Sequence, residues 1–137
     1  MITINKETIA IRTEQDTVFL RNRVSEYATK MKMGLVNQTK LLTAASELVR
    51  NMLRYAGGGD VLCEVVSESV LQQGIRLTFN DKGPGIPNIP EAMKDGFSTG
   101  KSLGLGLPGA KRLVNIFEIK SQVGEGTSIT ILKWKNG

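Results

Sequence analysis

The sequence predicts a two-layer α/β sandwich, one domain spanning residues 1–137, with about five strands in a mixed, mostly antiparallel sheet and three helices on one face. Two observations carry this. Apolar residues recur at helical spacing in three segments, and they alternate at period two in segments joined by short polar or glycine-containing turns. With 40% apolar and 23% charged residues, a chain of 137 residues has enough apolar surface for one core and is too small to need a second.

Each element follows from the pattern in order. Ile2, Ile4, Ile9 and Ile11 alternate with polar residues, as a half-buried strand or hairpin does. Thr13 and Asp16 have the spacing of a capping box for a first helix whose expected buried side is Val18, Leu20, Val24, Tyr27, Ala28 and Met31, with Gly34 as its stop. Leu41, Leu42, Ala45, Leu48, Val49, Met52 and Leu53 place a second helix at about 39–55, closed by Gly57, Gly58 and Gly59. Residues 60–70 and 74–80 read as a hairpin around Gln72, Gln73 and Gly74, with Ile75, Leu77 and Phe79 turned inward. From Asp81 to Gly106 the chain turns rich in glycine and proline, a long functional loop with at most a short helix near 91–94. A third helix at 107–116 follows, and strands at 117–123 and 127–135 flank the turn Gly124, Glu125, Gly126.

Composition removes several chemistries. There is no histidine, which takes away the usual general base, the commonest zinc ligand and any phosphoacceptor histidine. Cys63 is the one cysteine, so no internal disulfide forms, and its apolar surroundings make it a packing residue. The net charge of +5 is spread over single lysines and arginines rather than a run. One Trp, two Tyr and four Phe supply no aromatic-interleaved basic stripe, so nucleic acid is not an expected partner. No segment is apolar and long enough to span a membrane, and the opening residues do not read as a leader, so the expected location is the cytoplasm.

Three nucleotide motifs compete. Gly104, Gly106 and Gly109 spell GxGxxG, but the Rossmann fingerprint follows a buried strand and here FSTGKS precedes it. GFSTGKS at 96–102 nearly spells a Walker A loop, with Asp95 where the first glycine belongs, although Lys101 can still approach a phosphate. The third reading is spread along the chain. Glu47 and Asn51 share a helix face with Arg54 one turn on, Asp81-Lys82-Gly83-Pro84-Gly85 ends a strand, and Gly124-Glu125-Gly126-Thr127 opens the last one. Taken singly these are commonplace: a lone polar helix residue such as Glu47 is usually solvated, and DxGxG is usually only a turn. Their order is specific.

On SELVRNMLRYAGGG, NDKGPGIPNI, DGFSTGKSLGLGLPGAKRL and GEGTSI, nearly the whole chain resembles the GHKL family of ATPases and kinases, and within it the serine/threonine switch kinases of bacterial stress signalling. The resemblance implies the Bergerat-type ATP-binding fold with ATP and Mg²⁺ as cofactors. It implies that Asn51 ligates Mg²⁺, that Glu47 is the general base toward a serine or threonine hydroxyl, and that Arg54 is a weaker candidate for phosphate. Asp81 would accept from the adenine amine, supported by Thr127, with Gly83 and Gly85 bordering the base. Lys101, Gly104, Leu105 and Gly106 would serve the phosphates, under a lid at 97–102.

The resemblance further implies a STAS-domain antagonist protein as substrate and a downstream phosphatase as second partner, and it admits a homodimer. A self-contained histidine kinase is not expected, because such domains carry asparagine where Glu47 stands and act on a histidine this chain does not have. The gyrase and chaperone relatives add a coupled second domain, for which a chain of this length leaves no room. Two other functions fit the same residues: an anti-sigma factor that uses ATP to choose partners, with a sigma factor in place of the phosphatase, and a nucleotide-gated binding module without kinase activity.

Overall fold

The computed structural model describes residues 1–94 and 106–137. Its elements are β1 (Ile2–Ile11), α1 (Glu14–Lys30), α2 (Leu35–Ala56), β2 (Gly59–Ser67), β3 (Gln73–Asp81), α3 (Ile89–Ala92), α4 (Gly106–Leu113), β4 (Ile116–Gln122) and β5 (Gly126–Trp134). The strands form one sheet in the order β1-β2-β3-β5-β4. Every pairing among the described residues is antiparallel, so the mixed sheet expected from sequence is corrected to an antiparallel one. The physical reason lies in β5, which returns through the tight turn after β4 and then lies against β3 in the opposite sense.

The two layers meet where both periodicities put their apolar residues. Val61, Cys63, Ile75, Leu77, Phe79, Ile129 and Ile131 point from the sheet into a cluster with Leu20, Val24 and Ala28 of α1 and Leu41, Ala45, Leu48, Val49 and Met52 of α2. Leu20, Leu41, Ile75 and Leu77 have no exposed surface, and each such side chain contributes about 1.5–3 kcal/mol. Burial pushes the Cys63 thiol up to about 12, as expected of a packing residue with no reactive role.

Local chemistry sets the helix ends. The Asp16 carboxylate accepts from the N–H groups of Arg12 and Thr13 at 2.7 and 3.0 Å, which fixes the start of α1. Its end differs from expectation. Lys32 at φ +64° takes the left-handed position, with Met33 N–H donating to Ala28 C=O and Lys32 N–H to Thr29 C=O, the Schellman pattern with lysine where glycine is usual. Gly34 is instead the N-cap of α2, and Val18 is exposed rather than on the buried side. α2 begins four residues before its expected start, because Leu35 and Val36 are exposed and stand outside the apolar period. Gly57 at φ +76° closes it as expected. Ile4 is the extra residue of a bulge in β1, and residues 68–72 rather than 72–74 turn β2 into β3. No helix of the described residues is long and apolar enough to cross a membrane.

Candidate nucleotide site

A cavity of about 270 Å³ opens between α2, the C-terminal end of β3, the start of α4 and the start of β5. Its wall is largely apolar, from Met52, Phe79, Ile86, Leu107 and Ile129, and its polar lining comes from Asn51, Asp81 and Thr127. A mostly apolar cleft with a few placed polar atoms is the usual form of a small-molecule site.

Asp81 is held by the backbone. Its Oδ1 accepts from Gly83 N–H two residues on at 2.9 Å and from Thr127 N–H at 3.2 Å, the second because Asp81 and Thr127 are direct partners in the β3–β5 register. Both bonds fall on Oδ1, and Oδ2 is the atom left to face a ligand. Thr127 Oγ1 lies 2.9 Å from Ser121 Oγ. Ser121 also donates to Gly126 C=O at 3.1 Å and accepts from Ile86 N–H at 2.7 Å. This one hydroxyl therefore ties β4, β5 and the segment after Gly85 together behind the cavity.

The glycines permit this closeness. Gly126 has φ +119°, and a Cβ there would collide with the Asp81 carbonyl oxygen. Gly83 sits behind Asp81, where a Cβ would come 2.6 Å from that of Ala56, and it does not line the cavity, whereas Gly85 does.

On α2, Asn51 reaches the cavity and Glu47, one turn earlier, is buried at 2% exposure. Glu47 Oε1 accepts from Gly106 N–H at 3.2 Å and its Oε2 pairs with Arg50 Nη1 at 2.8 Å. Gly106, at φ +54°, opens α4 and lines the cavity with Leu107. Helix N-termini present unpaired N–H groups and suit anions. Arg54 is exposed, lies over the Tyr55 ring at 5.5 Å and is not part of the wall.

The structure thus brings Asn51, Asp81, Gly85, Gly106 and Thr127 to one cavity, with Glu47 beside it and Gly83 behind it. Lys101, Gly104, Leu105 and the segment read as a lid lie outside the described residues. Sequence reasoning missed Arg50, which reads as a solvated surface residue, and Ser121. The latter had a usable signal, since it continues the inward alternation of Phe117 and Ile119.

Residues 36–136 match the family model described as histidine kinase-, DNA gyrase B-, and HSP90-like ATPase. Over 130 residues the chain is 42% identical to the serine/threonine-protein kinase RsbT of Bacillus subtilis, covering 95% of this chain and 97% of that one. It is 31% identical over 124 residues to an anti-sigma F factor of Anoxybacillus flavithermus, covering 87% and 84%. Among solved structures, one containing the RsbU and RsbW domains of a Mycobacterium tuberculosis protein superposes with a TM-score of 0.64 at 18% identity. That likeness is one of fold. It covers 94% of this chain, which spans 31% of the other's length.

Proposed function

The chain belongs to the histidine kinase-, DNA gyrase B- and HSP90-like ATPases, and from that premise we propose that it is a serine/threonine-protein kinase that uses Mg-ATP to phosphorylate a STAS-domain antagonist protein in a bacterial partner-switching module. It then binds and activates a downstream phosphatase. The observation that carries this reading is the cavity itself, with Asp81 fixed by two backbone N–H groups at one side and Asn51 and Glu47 one helical turn apart at the other.

Each residue has a chemical role in this reading. Asp81 Oδ2 accepts from the exocyclic amine of adenine, where guanine presents a carbonyl, so ATP is favoured over GTP. The apolar walls cover the base. Asn51 offers a hard amide oxygen, which suits Mg²⁺, an ion that keeps waters and phosphate oxygens and takes one or two protein ligands. When bound, the metal neutralises charge on the phosphates during transfer. Glu47 takes the proton of the acceptor hydroxyl as its oxygen bonds to the γ-phosphorus, and the bridging oxygen leaves with ADP.

The test is labelled ATP incubated with the protein and the STAS-domain proteins of its host. We expect one of them to be labelled, and Glu47→Ala to reduce that transfer roughly a hundredfold or more with ADP affinity within a few-fold. Equal transfer by variant and wild type removes Glu47 from the chemistry, and no labelling at all overturns the substrate class. The likeness to anti-sigma F factors supports a second reading, an anti-sigma factor with ATP-dependent partner choice. Recovery of a sigma factor instead of a phosphatase in a pull-down selects it.

A further inference from the structure

Glu47 is the most buried charged side chain among the described residues, and both its oxygens are engaged, by donors of different kinds. Oε1 accepts from Gly106 N–H at 3.2 Å, a backbone group at the start of α4, and Oε2 pairs with the Arg50 guanidinium at 2.8 Å. These donors meet different fates when nucleotide binds as proposed above. Gly106 lines the cavity at the end of a helix that suits anions, so a phosphate competes with Glu47 for that N–H. Arg50 does not line the cavity and is half exposed, reaching in from the solvent side one turn beyond Glu47. Phosphate therefore releases Oε1 while Oε2 stays held.

Building on the reading of Glu47 as base, we propose that Arg50 is the positioning residue of phosphoryl transfer, fixing Glu47 by Oε2 so that Oε1 is the atom that accepts the proton of the acceptor hydroxyl. The proton passes from the serine or threonine oxygen to Oε1, that oxygen bonds to the γ-phosphorus, and the bond to the bridging oxygen breaks to release ADP. Arg50 gives up no proton. Its charge-assisted bond fixes the rotamer of a side chain that loses its other anchor on substrate binding, and positioning is the main demand of this chemistry. Arg54, the cation that spacing alone favours, is turned toward Tyr55 and leaves the task to Arg50.

The test compares Arg50→Ala, Arg50→Lys, Glu47→Ala and the double alanine variant, using labelled ATP with the STAS-domain acceptor and calorimetry with ADP. Arg50→Ala should lower kcat roughly 10- to 100-fold, as expected for a misplaced base, with KM for ATP and ADP affinity within about threefold of wild type. Arg50→Lys should recover most of the rate, since an ammonium can also donate to Oε2. Because the residues act as one unit, adding Arg50→Ala to Glu47→Ala should change nothing further.

An unchanged kcat in Arg50→Ala overturns the proposal, as does a lysine variant no better than alanine. So does an equal fall in the Glu47→Ala background, which would show Arg50 acting independently of Glu47. If Arg50→Ala leaves the buried carboxylate uncompensated and does not fold, the double variant, which removes that charge, still decides against Glu47→Ala. Wild-type transfer by Glu47→Ala alone would instead retire the base assignment, a result read separately from the behaviour of Arg50.

Discussion

Replacing Asp81 by asparagine separates the structural duty of this side chain from the recognition duty proposed for it. Its Oδ1 holds Gly83 N–H at 2.9 Å and Thr127 N–H at 3.2 Å, and an amide oxygen placed there keeps both bonds. The amide nitrogen then stands where Oδ2 stood and points a donor at the donor amine of adenine. Flipping the amide does not help, since it puts that nitrogen against two N–H groups and forfeits two bonds of about 1 kcal/mol each. Stability in urea should therefore stay within about 1 kcal/mol of wild type. Nucleotide binding loses a charge-assisted hydrogen bond of about 1.5–3 kcal/mol, so calorimetry should show ADP affinity lowered roughly 10- to 150-fold. Over the same titrations GDP should gain relative to ADP, because its carbonyl accepts from the new amide. An Asp81→Asn protein that binds ADP within twofold of wild type would refute this account of adenine recognition.

Two glycines in one turn test close approach against backbone conformation alone. Gly126 combines φ +119° with a collision of any Cβ against Asp81 C=O, whereas Gly124, at φ +83°, has open space around it. Gly126→Ala should cost more than about 2 kcal/mol in urea denaturation and weaken ADP binding, and Gly124→Ala only about 1 kcal/mol. Equal costs would dismiss the collision. On the open face of the sheet, Arg76 grips both oxygens of Glu64 at 2.9 and 3.0 Å, and that pairing, opposed by burial, holds the Glu64 carboxyl below its ordinary value of 4.5. The folded state thus binds this proton less readily than the unfolded chain. The stability it contributes is present above about pH 4.5 and is lost as the pH falls through the lowered folded value. Glu64→Gln should be up to about 1 kcal/mol less stable than wild type at neutral pH, and that difference should vanish in acid, read as urea midpoints of both proteins at the two pH values.

The helices and strands were legible where one periodicity ran unbroken. Leu41 to Leu53 could only be a helix buried on one side, and Ile75, Leu77 and Phe79 could only be a strand facing a core. The ends were less so. Leu35 and Val36 belong to α2 yet carry no burial signal, and Lys32 does a glycine's work at the end of α1, which drew attention to Gly34 instead. Strand order was out of reach, because the β3–β5 pairing joins residues some fifty apart and no local pattern announces it. Of the residues that line the cavity, Asp81, Asn51, Gly85 and Gly106 were legible as parts of ordered motifs. Arg50 was not, since an arginine on a helix is ordinarily solvated and its pairing with Glu47 is notable only for the depth to which Glu47 is buried.

That unreadable pairing is also what builds the Asp81 end of the cavity. Asp81 ends β3 opposite Thr127 near the start of β5, so the same register that closes the sheet delivers the second N–H to Oδ1. A slip of one residue would turn Asp81 to the open face and present Asn80 or Lys82 to the cavity. The register resists slipping because Phe79, Leu77 and Ile75 on β3 would all move from core to solvent together. Burying three such side chains contributes about 5–9 kcal/mol, more than the one or two hydrogen bonds that orient the carboxylate. The precision of a polar contact at the mouth of the site is thus supplied by apolar packing deeper in the sheet.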